Sequence, residues 1–267
     1  LQELPLAIGA TPCATISSKS MPRFHLSPEA WEGGLLSPEE SHHCVHVLRC
    51  AVGDRVTVFD GRGREATGTL ITASGRSVSI KLGPSSQSPA PLCAITLGQA
   101  VPKGKNMELI VQKAVELGAA SIVPLLSDRT IVQVDASDLE KKRRKWGDVA
   151  LEACKQCGQN FLPEIQIPVS PKTFFQSTSA SELLLIASLQ PGSRSLKSVL
   201  AEFSSTHQRL PKSVTVLVGP EGDFTPAEIA LARSHGCQPI TLGPIILRTE
   251  TAAIYCLSVL AHELYSG

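Results

Sequence analysis

The chain has 267 residues, 42% hydrophobic and 18% charged, with a net charge of +1. That length buries a substantial core in one large domain or two smaller ones. No apolar run reaches the ~18 residues of a membrane-crossing helix, and ordinary apolar content excludes a wholly disordered chain. A near-zero net charge excludes a globally basic nucleic-acid binder, so contact with RNA needs local basic patches.

Residues 1–20 begin at Leu1 and carry one acid (Glu3), one base (Lys19) and five Ser/Thr. This composition resembles the tail of an organellar transit peptide, though without the usual arginines; a disordered terminus is the alternative. Residues 21–88 read as a small β-barrel. Ser37-Pro38-Glu39-Glu40 has a capping residue, proline at the first helical position and glutamate three residues after the cap, and starts a short helix carrying His42, His43, Val47 and Leu48. Short strands follow at Arg55–Phe59, Ala66–Ala73 and Ser77–Leu82, with turn signals at Asp60-Gly61 and Ser74-Gly75. Seven Lys/Arg balance seven Asp/Glu between 21 and 88. Residues 83–91, Gly-Pro-Ser-Ser-Gln-Ser-Pro-Ala-Pro, have linker composition.

From 92 to 267 strands and helices alternate. Strands are predicted at Cys93–Ala100, Ser121–Leu126, Leu183–Leu189, Val214–Val218 and Pro239–Leu242. Helices are predicted at Asn106–Leu117, from a cap at Ser137 or Asp138 to Cys157, from the capping box Thr225-Pro226-Ala227-Glu228 to His235, and at Thr249–Leu264. Continuous apolar strands between helices indicate an α/β domain with a mainly parallel sheet.

Two Gly-Pro loops follow buried strands: Gly219-Pro220-Glu221-Gly222, and Gly243-Pro244-Ile245-Ile246-Leu247-Arg248. Open α/β sheets bind ligands at the carboxyl ends of their strands, where both loops lie, but composition alone favours ordinary strand-to-helix turns. Neither is a dinucleotide or triphosphate motif. The last helix is apolar on nearly every face, which places it in a core or a subunit interface. Arg248 at its start either pairs with Glu250 or holds a phosphate or base. The basic run Lys141–Lys145 is a solvated face or an RNA contact. His42, His43, Cys44 and His46 lack the ligands to complete a metal site. The eight cysteines are scattered, as in a reducing compartment with mostly buried thiols, and the lone CxxC, Cys154–Cys157, reads as helix packing rather than a redox pair. No nucleophile signature occurs, which leaves chemistry that depends mainly on positioning, such as group transfer from a bound cofactor.

Several blocks then resemble one family. Gly219–Gly222 and Leu242-Gly-Pro-Ile-Ile-Leu-Arg-Thr-Glu-Thr-Ala252 are similar to the cofactor loops of the ribosomal RNA small-subunit methyltransferase E family, uridine-N3 methyltransferases of the SPOUT class. Met21–His25, His43 with Val47-Leu-Arg49, Phe59-Asp-Gly61, Gln112–Gly118 and Glu152–Gly158 resemble its other blocks in the same order. The resemblance covers residues 21–264. It implies a PUA-like β-barrel followed by a SPOUT-type knotted α/β methyltransferase domain, a homodimer, and S-adenosyl-L-methionine as cofactor. The implied substrate is one uridine in the decoding region of small-subunit ribosomal RNA.

By the same resemblance, Leu189, Val218, Gly219, Pro220, Glu221, Gly222, Leu242, Gly243, Ile246, Leu247 and Thr249 bind the cofactor, and Ala187–Gln190 forms a third wall. Arg248 orients phosphate or stabilises the uracil anion, Glu221 and Glu250 are candidate bases, and Arg23 and Arg49, with Arg248, hold RNA. The chain departs from the family at Gln159, where arginine is frequent, at Asp223, where glycine is usual, and at Ile245, where arginine is common. Those departures motivate the competing expectation of a catalytically silent RNA-binding or ribosome-assembly protein. Methyl transfer to another base or RNA is a third. The implied compartment is an organelle, with the chloroplast favoured, or a bacterial cytoplasm.

Overall fold

A computed structural model of the chain describes residues 21–74, 77–130, 136–177, 181–190 and 192–265. The transit-peptide reading of residues 1–20 lies outside them, as does Cys13.

The N-terminal part holds β1 (Arg23–His25), α1 (Pro38–His42), a π-helical turn (His43–Val47), β2 (Arg55–Phe59), β3 (Arg64–Ser74) and β4 (Ser77–Gln87). Its sheet runs β1-β2-β3-β4, parallel between β1 and β2 and antiparallel beyond. Ser37 caps α1 by accepting from the Glu40 N–H, with Pro38 at the first helical position. Phe24, Leu26, Trp31, Val56, Val58, Leu70 and Ile80 pack beneath the sheet. The expected linker is shorter than its composition suggests. β4 continues to Gln87, where Ser85, Ser86 and Gln87 pair with Ala66, Glu65 and Arg64. A register shift between Ala66 and Gly68 sets Gly83 and Pro84 opposite Thr67 alone, and this bulge accommodates a proline that cannot donate to the ladder.

The second part holds β5 (Ala94–Ala100), α2 (Asn106–Glu116), β6 (Ser121–Leu125), α3 (Ala136–Cys157), β7 (Glu164–Ile165), α4 (Pro171–Ser177), β8 (Leu183–Ala187), β9 (Arg194–Ser195), α5 (Leu196–His207), β10 (Ser213–Val218), α6 (Pro226–Ser234), β11 (Gln238–Thr241) and α7 (Thr249–Tyr265). The sheet is wholly parallel, in the order β7-β6-β5-β10-β8-β11-β9. α3 starts at Ala136, so Ser137 and Asp138 fall inside its first turn instead of capping it. The Thr225–Glu228 capping box forms in full. Ile95, Leu97, Ile110, Val111, Ile122, Leu185, Val216, Leu257 and Leu260 fill one face of the sheet. Val123, Leu125, Phe174, Ile186, Leu217, Phe224 and Ile229 fill the other. Burial on both faces is why the central strands read as unbroken apolar runs.

Two features of this order matter for the site. β11 lies between β8 and β9, so the short β8–β9 connection crosses over the carboxyl end of β11. β10 lies between β5 and β8, which brings the ends of β8, β10 and β11 together. α7 then packs against α2, β5 and β10. It buries Ala253, Cys256, Leu257 and Leu260 and exposes Thr251, Tyr255, Ser258 and His262. No helix among the described residues is long and apolar enough to cross a membrane.

The two parts meet along a hydrogen-bonded seam. Gly63 N–H donates to the Asn160 carbonyl (3.0 Å) and Leu162 N–H to the Gly61 carbonyl (3.0 Å). A β-carbon at Gly63, whose φ is +96°, would sit 2.6 Å from Phe161 Cζ, so only glycine fits this approach. Deeper in the seam, Lys155 Nζ from α3 contacts Glu40 Oε1 (2.7 Å), Glu152 Oε1 (2.6 Å) and His43 Nδ1 (3.1 Å).

Candidate active site

Three loops leave the carboxyl ends of β8, β10 and β11 and enclose a cleft. Ala187, Ser188 and Leu189 form one wall, Val218–Glu221 with Asp223 a second, and Leu242, Gly243 and Ile245–Leu247 a third; Thr249 and Ala252 of α7 close it. The lining is mainly apolar side chains and backbone. The N–H groups of Ile246 and Leu247 have no hydrogen-bond acceptor among the described residues. Such a surface suits a flat heteroaromatic group held between aliphatic walls with its polar edge on backbone amides. Gly219 permits close packing there, because a β-carbon would lie 3.1 Å from Phe224 N and 3.2 Å from an Asp223 carboxylate oxygen.

The loops are tied to their surroundings by named contacts. Thr249 Oγ1 donates to the Gly219 carbonyl at 2.7 Å. Glu221 Oε1 accepts from Lys103 N–H at 3.1 Å, and the Arg129 guanidinium donates to the Gly222 carbonyl. Asp223 has φ +61°, a left-handed conformation that favours glycine, and its carboxylate accepts from Phe224 N–H (2.7 Å) and Leu189 N–H (3.5 Å). The residue that departs from the resemblance thus links two walls of the cleft. Ile245, the second departure, is 70% exposed at the cleft, and Ile246 is 79% exposed.

Of the expected cofactor residues, Leu189, Val218, Gly219, Pro220, Glu221, Leu242, Gly243, Ile246, Leu247 and Thr249 all line the cleft. Gly222 does not; its carbonyl faces Arg129. Arg248 is exposed and stands outside the lining, and Glu250 accepts from Asn106 Nδ2 (3.4 Å), also outside it. Of the two candidate bases, only Glu221 faces the cleft. Sequence reasoning missed Gln99, Lys103 and Arg129, which approach the loops from β5 and the ends of β5 and β6; no local motif marks them.

The other expected RNA residues separate. Arg23 is turned inward: it hydrogen-bonds Glu65, the Asn160 side chain and the Gln159 carbonyl (3.3 Å) and lies over the Phe59 ring at 4.4 Å. Its side chain is 11% exposed and ties the seam, and it also lines the groove that carries Arg49. Gln159, the third departure, supplies that carbonyl and a side-chain cap to Phe161 N–H (3.1 Å). Arg49 stays exposed at φ +55°, on a groove between the two parts shared with Arg55, His43, Leu48 and Gln156.

The basic run is largely matched by acids. Arg143 and Arg144 pair with Glu140, and Lys145 pairs with Glu108. Glu40, His43 and Glu152 come close enough to suggest a metal site, but the Lys155 ammonium contacts all three. Cys154 is buried and its thiol is pushed up to about 12 by desolvation, whereas Cys157 is exposed. A thiol so held is a packing group, not an exchange nucleophile.

With the geometry in place, the chain can be compared with known proteins. A profile for an RNA methyltransferase domain matches residues 88–261, and one for an RNA methyltransferase PUA domain matches residues 36–83. The ribosomal RNA small subunit methyltransferase E of Bacillus subtilis is 31% identical over 231 residues, 85% of this chain and 89% of that one. Its namesake in Synechocystis is 32% identical over 223 residues, 84% of this chain and 71% of that one. A Legionella pneumophila protein solved with the bound cofactor SAM matches with a TM-score of 0.80 at 34% identity, covering 91% of this chain and 98% of the other. A Neisseria gonorrhoeae ribosomal RNA small subunit methyltransferase E bound to S-adenosyl methionine matches with a TM-score of 0.78 at 29% identity, covering 90% and 96%. By its domains, its sequence and its fold, this chain belongs to the ribosomal RNA small subunit methyltransferase E family.

Proposed function

We propose that the chain transfers a methyl group from S-adenosyl-L-methionine to N3 of a uridine in small-subunit ribosomal RNA. One observation carries the reading: the three expected loops converge on one cleft, with apolar walls and free backbone N–H groups suited to an adenosine. Solved relatives of the same fold hold this cofactor.

The cofactor, when bound, supplies an electrophilic methyl on a sulfonium sulfur. Leu189, Ile246 and Leu247 exclude water from its neighbourhood, and the Thr249 hydroxyl holds the Gly219 loop through its carbonyl. Uracil N3 carries a proton that must leave as the N3–carbon bond forms. Glu221, facing the cleft, is the group placed to take it, and Glu250 lies outside the lining. Arg248, exposed beside α7, stabilises the negative charge that deprotonation places on the uracil.

We assign residues 21–88 to RNA binding and 92–267 to catalysis, with Arg49 and Arg55 of the groove on phosphates. The assembly is a homodimer, supported by the exposed apolar side chains Leu189, Ile245 and Ile246 at the cleft and Tyr255 on α7. The chain after β11 passes beneath the β8–β9 connection, the topology from which a trefoil knot is tied, supported by the position of β11 between those strands. The work belongs to a compartment with bacterial-type ribosomes: an organelle, as residues 1–20 suggest, or a bacterial cytoplasm.

The test is methylation of small subunits or their RNA by the purified protein with labelled cofactor, followed by mapping the product nucleotide. One 3-methyluridine per RNA is expected. RNA affinity without cofactor binding would instead establish the silent scaffold, and a methyl on another nucleotide would overturn the uridine-N3 assignment.

A further inference from the structure

Gln99 is the penultimate residue of β5 and is fully buried. Its Nε2 donates to the Ala100 carbonyl at 2.8 Å and to Thr249 Oγ1 at 3.0 Å. The Thr249 hydroxyl passes the chain on, donating its one proton to the Gly219 carbonyl at 2.7 Å. Three elements are joined in this way: the end of β5, the first residue of α7 and the loop after β10. The direction of the chain is determined. Thr249 has already spent its proton on Gly219, so it needs a donor from Gln99; turning the amide over would set an oxygen against the Ala100 carbonyl.

The arrangement has a cost. Gln99 Oε1 is buried and has no hydrogen-bond partner among the described residues. A buried, unmatched amide oxygen disfavours the fold, and an aliphatic side chain of similar volume would avoid the loss. A glutamine held there at the expense of stability must return something the aliphatic chain cannot. The only thing it supplies to the cleft is the oriented Thr249 hydroxyl, and through it the height of the Gly219-Pro220 turn. Both Gly219 and Thr249 line the cleft.

We infer that Gln99 is a positioning residue for the cofactor cleft, acting through Thr249 to hold the Gly219 loop in its binding conformation. The inference rests on the cleft being the S-adenosyl-L-methionine site. It touches no reacting atom; it sits on β5 paired with Val218, directly beside the start of the Gly219 loop.

The experiment compares the full-length wild type with Gln99→Met, Thr249→Val, Thr249→Ser and the double variant Gln99→Met/Thr249→Val. Cofactor affinity is read by calorimetry, stability by thermal unfolding, and KM and kcat by RNA methylation. Gln99→Met is expected to melt no lower than the wild type and to bind S-adenosyl-L-methionine about tenfold more weakly. Its KM for the cofactor rises and its kcat falls together, because the loop is misplaced. Thr249→Ser keeps the hydroxyl and retains most of the affinity. The double variant is no weaker than Thr249→Val, because the two side chains act in one chain. A Gln99→Met protein that binds like the wild type overturns the inference, as does one that loses stability but keeps its KM. A folded wild type that fails to bind at all overturns the functional reading and takes this inference with it.

Discussion

The cleft and the seam are built from the same kinds of residue and put them to opposite use. In the cleft, polar groups are left available among the described residues: the N–H groups of Ile246 and Leu247, the second oxygen of the Glu221 carboxylate, and the exposed Arg248 at the margin. In the seam the charges are largely answered from within, although Arg23 Nε is buried without a hydrogen-bond partner among the described residues. Lys155 and Glu40 are 6% and 7% exposed and lie 2.7 Å apart. Arg23 is divided among Glu65, Asn160 and Gln159. A charged residue therefore indicates function here only when the fold has not already matched it. By that rule Arg23, largely matched within the seam, is a weaker RNA candidate than the exposed Arg49 and Arg248, whose RNA role is proposed.

The sharpest way to test the contrast is to unmatch a seam charge. Lys155→Met strands Glu40 in a buried site and is expected to cost about 3–5 kcal/mol, roughly a 10 °C loss in melting temperature. Glu221→Gln in the cleft should shift stability by less than about 0.5 kcal/mol. Equal effects in denaturant or thermal unfolding would erase the distinction. Next in size is Arg248→Ala, expected to lower the methylation rate about 10²- to 10³-fold while the unfolding curve stays unchanged; single-turnover kinetics checks it. A large fall in melting temperature would place Arg248 with the seam residues instead.

Arg49 sits between the two classes. Its left-handed φ of +55° is a conformation glycine adopts more readily. Arg49→Gly should gain up to about 1 kcal/mol of stability and reduce the slope of RNA affinity against salt by about one. Filter binding at several salt concentrations, beside thermal unfolding, reads both. An unchanged salt slope would remove Arg49 from the RNA surface. The smallest effect concerns pH. Burial holds His25 below its ordinary pKa of 6.5, against a backbone contact at Asp60 and the nearby Glu40 carboxylate, which raise it. The unfolded chain therefore takes up a proton that the folded chain resists, and stability falls as pH drops below about 6.5. His25→Leu should flatten that slope in urea unfolding between pH 6.5 and 5. An unaltered slope would assign the acid sensitivity to other groups.

What the sequence made legible follows the range of the interactions involved. Capping boxes, apolar strands and Gly-Pro loops are local, and α6, β10 and the cleft walls follow from them. α5 carries a local signal too, with Ser195 as its cap and Leu196, Val199, Leu200 and Phe203 on one face, yet it was not anticipated. Residues 83–87 look like a linker because serine, glycine and proline dominate, but pairing with β3 outweighs composition. The seam, the insertion of β11 between β8 and β9, and the approach of Gln99 to Thr249 join residues far apart in the chain. Gln99 and Thr249 are 150 positions apart, and no periodicity carries such a pairing. Residues expected from family resemblance reached the cleft because backbone loops keep their shape. Arg23 is only partly exposed, because its guanidinium meets partners from another element.

The central claim is that the cleft is a cofactor site and Arg248 serves the RNA side of it. Calorimetric titration of the folded protein with S-adenosyl-L-methionine, wild type beside Arg248→Ala, tests it most directly. The account predicts saturable binding at one site per chain in both proteins, with affinities within about twofold, a difference of about 0.4 kcal/mol. No binding by the folded wild type would contradict the claim, and loss of binding in Arg248→Ala alone would move that arginine into the cofactor site.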